Sequence, residues 1–475
     1  MKMQANSQLG MIVKCLPLLA LSAAGPALAG ESKAPQAEQS KMREWLEGDY
    51  LLGDWNGLRT DLSKRGIDFE CFYFGSMPSN LSGGIKTGTA YQGALLTTLG
   101  LRSKELLGYD GGDFFLSAAW LNGQEDFSKE HIGDLNKVNL TDFPNMFRLW
   151  EMWYSQQLLS GKLLIKAGVM SVDRDFIVPE YYNSLSSINF INQTFFYPTL
   201  AFNLYDIPGF PVGEHSLPST PYGALGLYTR YKPTASSYIQ AAVYDGNPDL
   251  GSHGTNFRVA QDEGALVYLE TGYRWNAAPS EAGMPGSLKL GGYYHTDGFY
   301  DVSQGTAYAI GNAFGAGPDL PKDHSGNYGG YLLGEQYLWL EKDQSDPAMQ
   351  GTLAFLRLAG APKDRNLTQF EVGGGLVFKG LIPGRDWDTL GIGASYLKIS
   401  DDISDAVGEA NASYGTEFRR PDYEGLVELS YKAQITAWWT IQPSVQWVLH
   451  PGGLTDLANQ HDDAFAFILQ TTLRF

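Results

Sequence analysis

Seven charged side chains carry the chemistry this sequence offers: Lys166, Arg174, Arg230, Glu270, Arg274, Arg357 and Glu428. Guanidinium and ammonium groups only donate hydrogen bonds, and carboxylates only accept them. Such a set suits a solute whose hydroxyls do both while its C–H faces stack on neighbouring Trp and Tyr rings. Weak, repeated contacts of that kind let a solute enter a passage and leave it. The plainer alternative is a general solute pore, in which the charges only keep water present. Catalytic signals are thin. No H-E-x-x-H, G-x-S-x-G or Walker loop occurs. His461-Asp462-Asp463 with His450 could suggest a metal or a hydrolase, but reads better as solvated loop. Asp401-Asp402 and Asp173-Arg174-Asp175 could bind Ca²⁺, though loop acids do not usually complete its oxygen shell. Gly373-Gly374-Gly375 lies inside TQFEVGGGLVFK with no helix after it, so a bulge or flat packing is expected rather than a phosphate loop. The reading assigns no catalytic residue, no cofactor and no metal, with a barrel enzyme kept as a minor alternative.

The elements that position these charges announce themselves by alternation. In DYEGLVELSYKAQI, Tyr423, Val427, Leu429, Tyr431, Ala433 and Ile435 oppose Glu424, Glu428, Ser430, Lys432 and Gln434. WTIQPSVQWVL repeats the pattern, with Trp439, Ile441, Val445 and Trp447 opposite Gln442, Ser444 and Gln446. Period two over about ten residues is the signature of a transmembrane strand with one face toward lipid and one toward a lumen. Sixteen such segments can be placed, from 67–76 to 464–475, and bacterial barrels have an even count. Their connections alternate between long (122–148, 171–221, 246–263, 298–326, 401–421, 450–463) and short (157–161, 233–235, 436–438), apart from the middling 361–367 and 102–111. The fold class is therefore all-β: a transmembrane antiparallel β-barrel of about 16 strands over 67–475.

Composition agrees. The chain has 475 residues, 43% hydrophobic and 13% aromatic, with 56 Gly, and a mean hydropathy of −0.21. A barrel reconciles that polar average with a membrane address, because only alternate residues need be apolar. Lys2 and Lys14, the run CLPLLALSAAGPALA and Ala27-Leu28-Ala29 read as a signal peptide over 1–29. Removing its two lysines leaves 32 basic against 52 acidic residues, so nucleic acid is an improbable partner. Cys71 is then the only cysteine and is expected to pack as a small apolar side chain.

Two connecting segments stand out. Residues 30–66 read as a periplasmic lead-in with a short helix in LLGDWNGLRTDLSKRGI, Asp54 or Asn56 as cap and Gly66 just past its end. Residues 171–221 are too aromatic for an exposed loop and are expected to fold inward and constrict the lumen, with Tyr181, Tyr182, Phe195, Phe196 and Tyr197 either packing on the wall or lining the passage. At the end of the chain, AFAFILQTTLRF should close the barrel, Phe475 and its alternates facing lipid while Gln470, Thr472 and Arg474 face a wet lumen. A final aromatic is also a signal that barrel assembly machinery reads.

These blocks resemble the OprB-type carbohydrate-selective porins of Gram-negative outer membranes. LLGDWNGLRTDLSKRGID is similar to that family's opening motif, and KAGVMSVDRDF to its strand-then-acidic segment, with Val169 where Arg is expected. NFINQTFF, PYGALGLYTRYKP, APKDRNLTQFEVGGGLVFKGLIPGRDWDTLGIGASYLKIS and YKAQITAWWTIQPSVQWVLHPGG match later blocks. The resemblance implies a sixteen-stranded barrel that passes glucose or other small carbohydrates by diffusion. It leaves the preferred sugar and the oligomeric state open.

Overall fold

The computed structural model describes residues 36–183, 188–196, 218–248, 253–255, 257, 263–278, 281–316, 319–341, 349–457 and 460–475. The expected signal segment lies outside them. Residues Gln36–Glu47 form a helix, and a second short helix, Leu58–Lys64, precedes the barrel. Gly66 takes a left-handed φ of +84° just past its end, as the sequence predicts, but the N-cap is Gly57 rather than Asp54 or Asn56, because a 3-10 turn over Trp55–Gly57 intervenes; Asp54 still accepts the Thr60 N–H at 2.9 Å.

One antiparallel sheet follows, closed on itself. Its strands are β1 (Ile67–Ser82), the two-residue β2 (Gly88–Thr89), β3 (Gln92–Arg102), β4 (Gly112–Gly123), β5 (Met146–Leu158), β6 (Leu163–Met170), β7 (Ala224–Tyr231), β8 (Ser237–Asp245), β9 (Ala265–Trp275), β10 (Gly286–Tyr300), β11 (Asp323–Leu340), β12 (Gly351–Gly360), β13 (Thr368–Lys379), β14 (Thr389–Ile399), β15 (Tyr423–Thr436), β16 (Trp439–Leu449) and β17 (Ala464–Arg474). Without β2 these are the sixteen barrel strands. The seam joins β1 to β17 in register from Phe72↔Arg474 to Asn80↔Ala466, which leaves no open edge to meet lipid.

Alternation holds residue by residue. On β15, Val427 and Leu429 are exposed while Glu424, Glu428, Ser430 and Lys432 are buried. The two-sidedness of the closing strand also holds, with Phe465 and Leu469 outward and Ala464, Ala466, Ile468 and Gln470 inward. One expectation needs correction: the inner face here is not uniformly wet. Ala464, Ala466 and Ile468 are 0% exposed and pack with Phe127, Ile132 and Val138 of the β4–β5 connection, which also folds inward. At the other end of the strand Arg474 binds Glu70 rather than open water.

The long connections carry elements that alternation does not reveal. Helices Val302–Ala313 and Asp401–Tyr414 lie in two of them and pack together through Ile310, Val407 and Ala410. Phe314 stacks on Tyr414 at 4.9 Å.

Candidate functional site

The β6–β7 connection enters the barrel and is moored to one side of its wall. Glu270 on β9 accepts the Ile177 N–H at 2.9 Å. Glu335 on β11 accepts three consecutive amides, from Glu180 (2.8 Å), Tyr181 (2.7 Å) and Tyr182 (2.9 Å). Glu428 on β15 accepts Ile191 and Asn192 N–H at 2.7 and 3.0 Å. Arg357 and Glu371, 2.6 Å apart, both hold the Thr194 hydroxyl at 3.0 Å. A carboxylate that gathers several main-chain N–H groups satisfies polar backbone that would otherwise be buried without partners.

Cations do the same work from the opposite sign. Lys166 pairs with Asp175 at 2.5 Å. Arg274 and Lys289 reach the two oxygens of Glu180 at 2.8 and 3.3 Å, and Lys289 also donates to the Val178 carbonyl. Burial raises the Glu180 pKa, but Lys289 and Arg274 outweigh it and hold the carboxyl below its ordinary range. Arg230 donates to Gln240 at 2.7 Å, and Gln240 in turn binds the Asp175 carbonyl and Glu270.

Of the seven residues singled out in the sequence, six therefore hold the loop, directly or through one neighbour: Lys166, Arg230, Glu270, Arg274, Arg357 and Glu428. Their inward direction agrees with the sequence, but a sugar reaching the carboxylates would have to displace the loop. Glu270, Arg357 and Glu428 are no more than 2% exposed.

Aromatics and glycines complete the docking. Tyr182 stacks on Phe355 at 3.8 Å, Tyr181 meets Tyr337 edge-on at 5.5 Å, and Phe190 and Phe195 are fully buried. The wall opposite those last two is bare. A Cβ on Gly391 would lie 2.9 Å from the Phe190 ring, and one on Gly393 would lie 2.7 Å from Phe195. Of the five aromatics assigned to the loop, Tyr181, Tyr182 and Phe195 thus pack on the wall, and Tyr197 lies outside the described residues.

A second inward loop, 124–145, covers β15 to β17. Glu424 accepts Leu135, Asn136 and Gly452 N–H at 2.8, 2.9 and 2.7 Å. Beside it Asp134 is buried, and neither of its oxygens has a well-aligned donor. Burial first and Asp142 second push its carboxyl up to about 7, with Ser128 softening the effect. Among the described residues no group of three or more His, Cys, Asp or Glu is placed to hold a metal.

Both loops also reach the wall of β1, β3, β4 and β5, where Ile188 and Leu140 pack with Phe74, Leu96 and Trp150 and Asn139 and Asp142 bind Gln92, yet they leave a space against it. A cavity of about 170 Å³ lies there, lined by Phe74, Leu96, Leu121, Trp150, Gln470, Asn183, Phe196 and the Asp173-Arg174 pair. Trp150 is aimed inward by a bulge, because Ser117 and Ala118 pair with Glu151 and Leu149 and leave it unpaired. Its indole N–H donates to Ser171 at 2.6 Å. The Arg174 guanidinium lies 5.2 Å from the Trp150 ring and 3.5 Å from Glu151, with a third of its side chain exposed. Asp173 is bound to Thr220, and its burial raises its pKa. Arg174 alone of the seven sequence candidates lines this cavity. Trp150, Phe74 and Asn183 were not foreseen, because a bulge or a loop sets their direction.

A family model described as the carbohydrate-selective porin, OprB family, matches residues 86–475. Porin B of Pseudomonas aeruginosa is 26% identical over 467 residues, covering 93% of this chain and 94% of that protein. A putative porin, QuiX, of Acinetobacter baylyi is 24% identical, covering 92% and 94%. The high-pH structure of Pseudomonas putida OprB superposes with a TM-score of 0.76 at 24% identity, over 90% of this chain and 99% of that one.

Proposed function

Because the chain belongs to the OprB family of carbohydrate-selective porins, we propose that a sugar crosses its lumen through the cavity between the two moored loops and the wall of β1, β3, β4 and β5. The protein is a carbohydrate-selective β-barrel porin of the Gram-negative outer membrane, and its substrates move down their own gradients. The observation that carries the proposed path is Arg174 over Trp150 beside an aromatic-lined cavity. A pyranose needs apolar surface on which to stack and donors at its edge; the aromatic lining of the cavity supplies the first, and Arg174, a third exposed and held over the buried Trp150 ring, supplies the second. Glucose and other small neutral sugars fit that chemistry, and no catalytic step is assigned. Residues 1–29 act as the export signal in this reading, the outward apolar side chains meet lipid, and Phe475 is the mark read during barrel assembly.

The test is sugar block of ion current through single channels. One charged hydrogen bond is worth about 1.5–3 kcal/mol, so Arg174→Ala should weaken the block by about tenfold or more. Arg230→Ala should change sugar affinity less, because Arg230 acts through Gln240. The reverse ranking would place the path on the other wall. Equal liposome swelling rates for glucose and a similarly sized non-sugar solute would favour the general pore instead.

A further inference from the structure

Residues 46–66 carry none of the sugar chemistry, yet they converge on the barrel seam. Arg59 is buried at 8% exposure. Its Nη1 donates to the Phe69 carbonyl at 2.7 Å and its Nη2 to the main-chain oxygen of Phe475 at 2.8 Å, so one guanidinium bridges the first strand and the residue that follows the last. Its carbon lies 3.8 Å from the centre of the Tyr50 ring and 4.3 Å from that of Trp55, which holds the cation between two aromatic faces. Around it, Leu51 N–H donates to the Arg474 carbonyl at 2.8 Å. Glu70 accepts Tyr50 Oη at 3.0 Å and both Nε and Nη2 of Arg474 at 2.9 Å. Phe475 N–H donates to the Cys71 carbonyl at 2.8 Å.

We propose that residues 46–66 form a binding site for Arg474-Phe475 that latches the seam once β17 has paired with β1. The chemistry favours that role. The β1–β17 pair brings together segments separated by nearly the whole barrel in sequence, so it carries the largest loop-closure cost of any ladder, and a ladder frays from its ends. Both main-chain hydrogen-bonding groups of Phe475 are taken here, one by Cys71 and one by Arg59. An aromatic cage around an arginine costs little conformational freedom at the moment of capture, because Tyr50 and Trp55 already fix its direction.

The experiment is the unfolding rate of the full barrel in detergent, read as loss of the heat-modifiable band, for Arg59→Ala and Tyr50→Phe. Arg59→Ala should unfold at least tenfold faster and Tyr50→Phe about threefold faster, with conductance and sugar block per folded molecule unchanged. A disulfide between Gly75→Cys and Thr471→Cys, which face each other across the seam, made in a Cys71→Ser background, should return Arg59→Ala to slow unfolding. Wild-type rates in both latch variants would overturn the proposal. So would a disulfide that closes the seam yet fails to rescue, because Arg59 would then act elsewhere. If Arg59→Ala does not assemble, unchanged unfolding of Tyr50→Phe overturns it alone.

Discussion

Replacing Glu335 by Gln removes one negative charge at constant shape and should loosen the inserted loop. Glu335 holds the amides of Glu180, Tyr181 and Tyr182 within 2.9 Å and also the Ser287 hydroxyl at 2.8 Å. A glutamine offers one carbonyl oxygen, and its NH₂ group must then face donors. At least one charged hydrogen bond is lost and another becomes neutral. At about 1.5–3 kcal/mol for a charged bond against about 1 for a neutral one, the local cost is about 2–5 kcal/mol. Each 1.4 kcal/mol is a factor of ten, so the fraction of time this part of the loop is lifted should rise roughly thirtyfold to a few thousandfold. No cavity forms, and the barrel should keep its heat-modifiable mobility. Single-channel recording should show greater open-channel noise and a higher mean conductance, with weaker sugar block because Val178 and Asn183 of the same loop line the cavity. A Glu335→Gln channel with wild-type noise and conductance would refute the claim that wall carboxylates hold the constriction.

Other expectations follow from the same geometry. Gly393→Leu places a side chain where Phe195 now lies, so it should displace the loop and raise conductance more than Gly360→Leu, whose Cβ would meet nothing nearer than 3.8 Å. Lys289→Ala should increase current noise because Lys289 is 5% exposed and holds Val178 and Glu180. Asp134 should make docking of 124–145 depend on pH. Burial and Asp142 raise its carboxyl pKa in the fold above the roughly 3.9 of an unfolded chain, so the protonated form favours the docked loop, and its contribution, full below about pH 4, is lost as pH rises toward neutrality. Asp134→Asn should reduce that dependence, with Glu424 beside it retaining a part, read as hydrogen-exchange protection of the loop at low and neutral pH, and an unchanged difference between the two would contradict the assignment.

The barrel was legible because its pattern is periodic and repeats in every strand. Val427-Glu428-Leu429 declares inside and outside without help from any other segment, and sixteen such statements must agree for the long and short connections to alternate. The site was half legible. Inward charges could be identified, but whether a carboxylate meets a solute or a loop amide depends on residues such as Ile177 and Ile191, whose contribution is a main-chain N–H that side-chain chemistry does not advertise. Trp150 escaped because one bulge shifts register by a residue and turns an ambiguous ring inward. The slot at Gly391 and Gly393 had a trace in TLGIGASYLKI, where two glycines alternate with lipid-facing side chains, yet nothing local states which rings fill it.

Sequence separation gives the moored loop a further meaning. Ile177 binds Glu270, Tyr181 binds Glu335, Thr194 binds Glu371 and Ile191 binds Glu428, partners separated by 93, 154, 177 and 237 residues. Among the described residues only Lys166 and Asp175, nine residues apart, make a comparably close contact from the preceding strand. The narrowing of the channel is thus specified by residues spread across the whole wall, and a fault in β9, β11, β13 or β15 would be felt at the constriction.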